Sequence, residues 1–204
     1  MKNWITFCQK HHTQLCSQKA RVSALTVIDC EICQVVELPS ASPYLTLSYV
    51  WGSAQAFEGI DDECIQDVPR VINDAFHAVR SLGFRYLWID RYCIPQGDAQ
   101  EKQRLIQNMG AIYKSSALTL IAAAGDGPHY GLPGIRPGLR RARPTISIGP
   151  WALIPQETGF VSEINESKWN SRGWTYQEAI LSHRKLVFTN SQTYFQCQAM
   201  HCLE

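Results

Sequence analysis

Three uninterrupted apolar runs limit what this chain can fold into. They are Tyr44-Leu-Thr-Leu-Ser-Tyr-Val50, Tyr86-Leu-Trp-Ile-Asp90 and Ser116 to Ala124. Between them lie two stretches with helical periodicity. The first carries Val71, Ile72, Ala75, Val79 and Leu82 on one face, with Asp67 ahead of its start, Pro69 in its first turn and Gly83 as its stop. The second opens at Asp98 with Glu101 three residues on, a capping-box spacing, and turns Leu105, Ile106, Met109, Ile112 and Tyr113 inward. Strands that are apolar throughout, alternating with amphipathic helices, predict an α/β fold around a mostly parallel sheet with helices on both faces.

The flanks are less regular. Residues 1 to about 18 space Trp4, Cys8, His12, Leu15 and Cys16 as one short helix, and Ser23 to Leu38 reads as a hairpin around Cys30-Glu-Ile-Cys33. Residues 1–43 are thus expected to be an extension packed on a main domain of residues 44–204. The acidic stretch 58–67 reads as a solvated loop, and a Gly-, Pro- and Arg-rich stretch opens an insertion over about 125–169. A helix from Trp174 to His183 follows a start at Asn170-Ser171, and two last strands, Lys185 to Thr189 and Thr193 to Cys197, flank Asn190-Ser191.

Composition narrows the function. Of 204 residues 45% are apolar and 18% charged, too rich in core for a disordered tail, while a net charge of +1 gives no field to attract nucleic acid or anionic lipid. No apolar run approaches the ~20 residues of a membrane span. The N-terminus has no secretory h-region, so the eight cysteines read as reduced thiols of a cytoplasmic protein. The last residues carry no polar tail, which suits one domain of a longer chain.

Ligands of open parallel sheets bind beyond the carboxyl ends of the strands. Ser48 to Gly52, Asp90 to Gln96 and Gly125 to Gly127 should lie there, and none is a phosphate loop. Glu178 shares a helical face with Trp174 and Leu181, where burial beside an indole would raise its pKa as a catalytic acid requires. The alternative is a structural carboxylate that caps backbone N–H groups or pairs with Arg172 or Arg184. Asp90 either binds a ligand or caps its own turn. Trp51 and Trp174 offer flat faces to a ring, or are simply core. Cys93 would need a base to act as a nucleophile, and no His is near it in sequence. Arg136, Arg140, Arg141 and Arg143 read as an exposed loop.

Cys8, His12 and Cys16, with Cys30 and Cys33, are residue types that bind zinc. In a continuous helix, however, Cys8 and Cys16 stand ~12 Å apart, too far for one ion. At most two of Cys8, His12 and Cys16 could share an ion, so they read as small core residues and no metal site is assigned; the weaker alternative is a zinc-supported interaction domain.

Three blocks taken together, Tyr44-Leu-Thr-Leu-Ser-Tyr-Val-Trp-Gly52, Tyr86-Leu-Trp-Ile-Asp-Arg-Tyr-Cys-Ile-Pro-Gln96 and Ser171-Arg-Gly-Trp-Thr-Tyr-Gln-Glu178, resemble the signature blocks of the fungal heterokaryon incompatibility (HET) domain. Met109-Gly-Ala-Ile-Tyr113, Tyr130-Gly-Leu-Pro-Gly134 and Tyr194-Phe-Gln-Cys197 also fit it. The resemblance implies a cytoplasmic protein of non-self recognition and programmed cell death. It also implies a distant likeness to the TIR domain, a flavodoxin-like fold some of whose members hydrolyse NAD⁺. The TIR glutamate follows a Trp by four residues, as Glu178 follows Trp174, although about fifty residues separate Ala124 from Trp174 and the TIR gap is short.

On that resemblance Glu178 is the catalytic residue. Tyr49, Trp51, Gly52, Asp90, Cys93, Gln96, Arg172 and Trp174 are the substrate-binding set, and NAD⁺ is a substrate rather than a cofactor. One carboxylate can suffice, because nicotinamide leaves as a neutral pyridine and needs no general acid. Activity would depend on self-association. The alternative is a non-enzymatic module that oligomerises or recruits a recognition protein or an adjacent domain.

Overall fold

A computed structural model describes residues 1–17, 22–52, 65, 67–95, 97–140, 145–153 and 159–204. The acidic stretch 58–67 therefore falls almost wholly outside the described residues, as do Gln96, Arg141 and Arg143. Helices α1 (Lys2–His11) and α2 (Thr13–Cys16) precede a hairpin of β1 (Thr26–Asp29) and β2 (Gln34–Glu37). The central units follow as β3 (Tyr44–Ser48), α3 (Arg70–Leu82), β4 (Tyr86–Trp88), α4 (Asp90–Cys93), α5 (Ala99–Ser115) and β5 (Leu118–Ala122). The insertion holds a hairpin of β6 (Ile146–Ile148) and β7 (Trp151–Leu153), and helix α6 (Phe160–Glu166). Last come α7 (Thr175–Leu181), β8 (Arg184–Phe188), β9 (Thr193–Cys197) and β10 (His201–Leu203).

Eight strands make one sheet in the order β10-β9-β8-β5-β3-β4-β1-β2. Its centre is parallel: β3 pairs with β4 and β5, and β5 with β8. Numbered along the chain, these four strands run 2-1-3-4, one of the two common doubly wound orders, and the order reverses between β3 and β5. Every residue of β3 and β5 is buried, as continuous apolar runs covered on both faces must be. The antiparallel flanks are β1–β2 on one side and β9–β10 on the other. The hairpin of the N-terminal extension thus continues the sheet, with β1 beside β4. No described helix is long and apolar enough to cross a membrane.

Helix α3 buries the expected face and ends on Gly83 at φ 86°, a left-handed cap that glycine adopts without steric cost. Asp98 caps α5, its carboxylate accepting from the N–H groups of Gln100 and Glu101 at 2.9 and 3.0 Å. Glu101 does not close the reciprocal half of the box; it takes two bonds from Arg104, at 2.7 and 2.6 Å.

Several local expectations are corrected. The N-terminal helix is broken at His12 (φ −114°, ψ 34°). Asp90 does not end a strand but opens α4. The insertion is not all loop, since it holds β6, β7 and α6, and β10 extends the sheet beyond the two last strands expected. The arginines described in the 136–143 cluster are not simply solvated: Arg136 pairs with buried Asp74 at 2.8 Å, and Arg140 pairs with Glu204. The seven described cysteines are free.

Candidate active site

Two buried carboxylates sit where the carboxyl ends of β3 and β4 meet α7. Glu178, in the first turn of α7, is only 2% exposed. It accepts a hydrogen bond from the hydroxyl of Ser48, the last residue of β3. That hydroxyl is itself fixed by Trp169, whose indole N–H donates to it at 2.6 Å. With its oxygen engaged by the indole, Ser48 directs its proton to the glutamate. Burial raises the pKa of Glu178, opposed by the Ser48 hydrogen bond and the charge of Arg172.

Asp90 is 7% exposed and accepts from Trp51 Nε1 at 3.1 Å and from the Arg91 N–H at 2.8 Å. Burial, and next the charge of Glu178, push it up to about 7; the Arg91 N–H, Arg172 and Trp51 act the other way. The two acids therefore interact, and ionising one disfavours ionising the other. Tyr113, buried on α5 with its hydroxyl donating to the Leu47 carbonyl, is raised well above its ordinary value by burial and then by the charges of Glu178 and Asp90.

A seven-residue helix is too short to hold itself, so α7 is held from outside. At its end Ser182 Oγ donates to the Glu178 carbonyl at 2.6 Å. The same hydroxyl lies 2.6 Å from Thr119 Oγ1 on β5, which lies 2.7 Å from Thr46 Oγ1 on β3. This buried ladder ties the helix to the two strands where the order reverses. On its other side α7 packs on α5, close enough that a Cβ at Gly110 would lie 2.9 Å from Leu181 Cδ1.

Other residues expected at the site are placed as follows. Arg172 donates to the Tyr49 carbonyl, tethering the loop ahead of α7 to the end of β3. Tyr49 is buried, and its hydroxyl has no partner among the described residues. Trp51 is 36% exposed, with the Arg91 guanidinium 5.5 Å from its ring centroid. Gly52 takes φ 80° against Pro128, whose Cδ would lie 2.8 Å from an added Cβ. Trp174 is half exposed; the buried indole linked to Glu178 is Trp169. Cys93 does not join the group. Its thiol lies in the core between the Ile89 N–H and the Leu87 carbonyl, and burial pushes it up to about 12. Gln96 lies outside the described residues.

Sequence reasoning placed Ser48 at the ligand-binding edge without giving it a role, and passed over Trp169 and the hydroxyl ladder. Ser48 carried a signal, a hydroxyl at the carboxyl end of an apolar strand. Trp169 carried none, because its place is set by tertiary packing of the end of the insertion against Ile121, Ala123 and Val187 of the central sheet region. A cavity of about 520 Å³ opens at the opposite, amino-terminal edge of β3, lined by residues including Val22, Pro39, Tyr44 and Ser115. None of the expected site residues lines it.

Residues 44–178, two thirds of the chain, match the family described as heterokaryon incompatibility protein (HET). That segment begins with β3 and ends at Glu178, so it contains both carboxylates. No curated protein and no solved structure matches the chain.

Proposed function

Because this chain belongs to the heterokaryon incompatibility family, we propose that it is an effector domain of fungal non-self recognition and cell death that hydrolyses the nicotinamide–ribose bond of NAD⁺ or a related nucleotide. The observation that carries this reading is the pair of under-solvated carboxylates, Glu178 and Asp90, at the carboxyl edge of a doubly wound sheet.

The scissile bond breaks with its electron pair returning to the pyridinium nitrogen, so nicotinamide departs neutral. Glu178 stabilises the positive charge that develops at the anomeric carbon. Water adds to that carbon, and its proton passes to the Glu178 carboxylate and then to solvent, leaving ADP-ribose. Asp90 accepts from a ribose hydroxyl, with Gln96 as a second partner. Arg172 supplies positive charge for the diphosphate. The part-exposed indoles of Trp51 and Trp174 flank the rings. The unpartnered Tyr49 hydroxyl is a buried donor that a bound ligand would satisfy.

The test is release of free nicotinamide from NAD⁺ by the purified chain, followed chromatographically at high protein concentration because activity is expected to require self-association. Glu178→Gln keeps the shape of the side chain and an acceptor for Ser48. It should stay folded by circular dichroism yet lose at least about 100-fold in turnover. Glu178→Gln cleaving at the wild-type rate would overturn the proposal. So would a concentrated, assembled wild-type chain that releases nothing, which would leave a non-enzymatic recruiting module.

A further inference from the structure

A second cluster lies outside residues 44–178, on both flanks at once. A straight helix would hold the thiols of Cys8 and Cys16 ~12 Å apart. The break at His12 folds α2 back, and the ligand atoms of Cys8, His12, Cys16 and Cys197, the last at the end of β9, all come within 4.8 Å of one another. His12 Nδ1 and Cys197 Sγ are 3.4 Å apart across 185 residues of sequence. All three cysteines are buried.

We propose that Cys8, His12, Cys16 and Cys197 form a structural zinc site that clasps the N-terminal helices to the C-terminal strands. Three thiolates and one imidazole are a common tetrahedral donor set for zinc, and four protein ligands leave no open position for catalysis. Bonds of ~2.3 Å to sulfur and ~2.0 Å to nitrogen place neighbouring donors roughly 3.5–3.8 Å apart, so the cluster need contract by no more than about 1 Å. Soft donors of this kind disfavour magnesium and calcium. Each coordinating thiol yields its proton to solvent as the ion binds.

Arg184 supports the assignment independently. It is 5% exposed, and its guanidinium reaches the Cys8 sulfur at 3.2 Å and the Ala117 carbonyl at 3.3 Å. None of the ion pairs among the described residues includes it. A buried guanidinium with no counter-charge is costly. Zinc with three thiolates carries one net negative charge, which Arg184 would balance; neutral thiols carry none. The Ala199 N–H donates to Cys197 Sγ at 3.4 Å, an outer-shell bond suited to a thiolate, and the Phe7 ring meets the His12 ring edge-on at 5.7 Å.

The test is independent of the chemistry proposed for Glu178. The full chain is produced with zinc supplied, desalted, and its metal measured by mass spectrometry. About one zinc per chain is expected. Cobalt exchanged into the site should show the visible bands of tetrahedral thiolate coordination. Cys197→Ser should lose at least about tenfold in zinc affinity, whereas Cys33→Ser, outside the cluster, should keep it. His12→Gln, at a half-buried position, gives the same readout should Cys197→Ser fail to fold. A folded wild-type chain that carries no zinc would overturn the proposal. So would a Cys197→Ser or His12→Gln variant that binds zinc as tightly as wild type.

Discussion

Asp90 makes the stability of this protein depend on pH in a direction opposite to that of an ordinary salt-bridged carboxylate. In the unfolded chain it ionises near 3.8, whereas in the fold it keeps its proton up to about 7. Below about pH 4 both states hold the proton and Asp90 costs nothing. As pH rises from there the unfolded state alone ionises, so stability falls and levels off above about 7. At ~1.36 kcal/mol per pKa unit the penalty above pH 7 reaches roughly 2–4 kcal/mol. Asp90→Asn removes the ionisation and keeps an oxygen for the Trp51 and Arg91 donors. The variant should therefore be more stable than wild type by roughly 1–4 kcal/mol at about pH 8, with the gap closing near about pH 4. Urea unfolding at the two pH values measures it, and a gap that does not change with pH would contradict the assigned shift. Glu178 is raised by burial in the same direction. Both acids of the candidate site therefore disfavour the fold as they ionise.

Individual elements depend on a few polar and glycine positions. Thr119 is the middle rung between Thr46 and Ser182 and also meets Ser116, so Thr119→Val keeps its volume but takes one partner from each of three buried hydroxyls. The expected loss is about 1–3 kcal/mol in denaturant unfolding. Because α7 hangs from this ladder, amide exchange should rise over residues 175–181 more than over α3. Equal protection in the two helices would show that α7 is held elsewhere. The turn after β5 gives a second contrast. Gly125 takes φ 73°, and a Cβ there would lie 2.2 Å from Tyr130 Cγ, whereas a Cβ at Gly127 would meet nothing within 4 Å. Gly125→Ala should cost at least about 2 kcal/mol and Gly127→Ala less than about 0.5 by the same measurement. Elements with strong local signals were legible in the sequence. Strands β3 and β5 are continuous apolar runs, α3 ends on a glycine stop, and α5 begins at an aspartate cap. The short elements α4, α6, β6, β7 and β10 were not, because each spans too few residues to show a period or carry a cap signal of its own. The candidate site divides in the same way. Glu178 and Asp90 stand out as acids in apolar surroundings, while Trp169 and the kink at His12 reveal their partners only once the chain is folded.

The whole molecule is held as a unit larger than the segment that matches the family. One core cluster runs from Ile5 to Cys197, and the N-terminal extension contributes Ile5, Leu25, Val27 and Ile28 to it. At ~1.5–3 kcal/mol for each buried aliphatic side chain, these four contribute roughly 6–12 kcal/mol, comparable to the net stability of a whole domain. The extension also shields β4, whose edge pairs with β1 through Ile28 opposite Leu87 and Asp29 opposite Tyr86. Asp29 is further locked to Arg85, whose Nε and Nη2 reach it at 2.9 and 2.6 Å. A chain trimmed to residues 44–204 would thus lose core and expose a strand edge at once, the combination that favours aggregation. It should fail to show a cooperative thermal transition, or collect in the insoluble fraction, while the full chain melts cooperatively. A trimmed chain that melted cooperatively within a few degrees of the full one would mean that the extension merely decorates a self-sufficient domain. The expected failure instead makes residues 1–43 part of the folding unit that positions the carboxylates, since β4, which the extension covers, leads directly into Asp90.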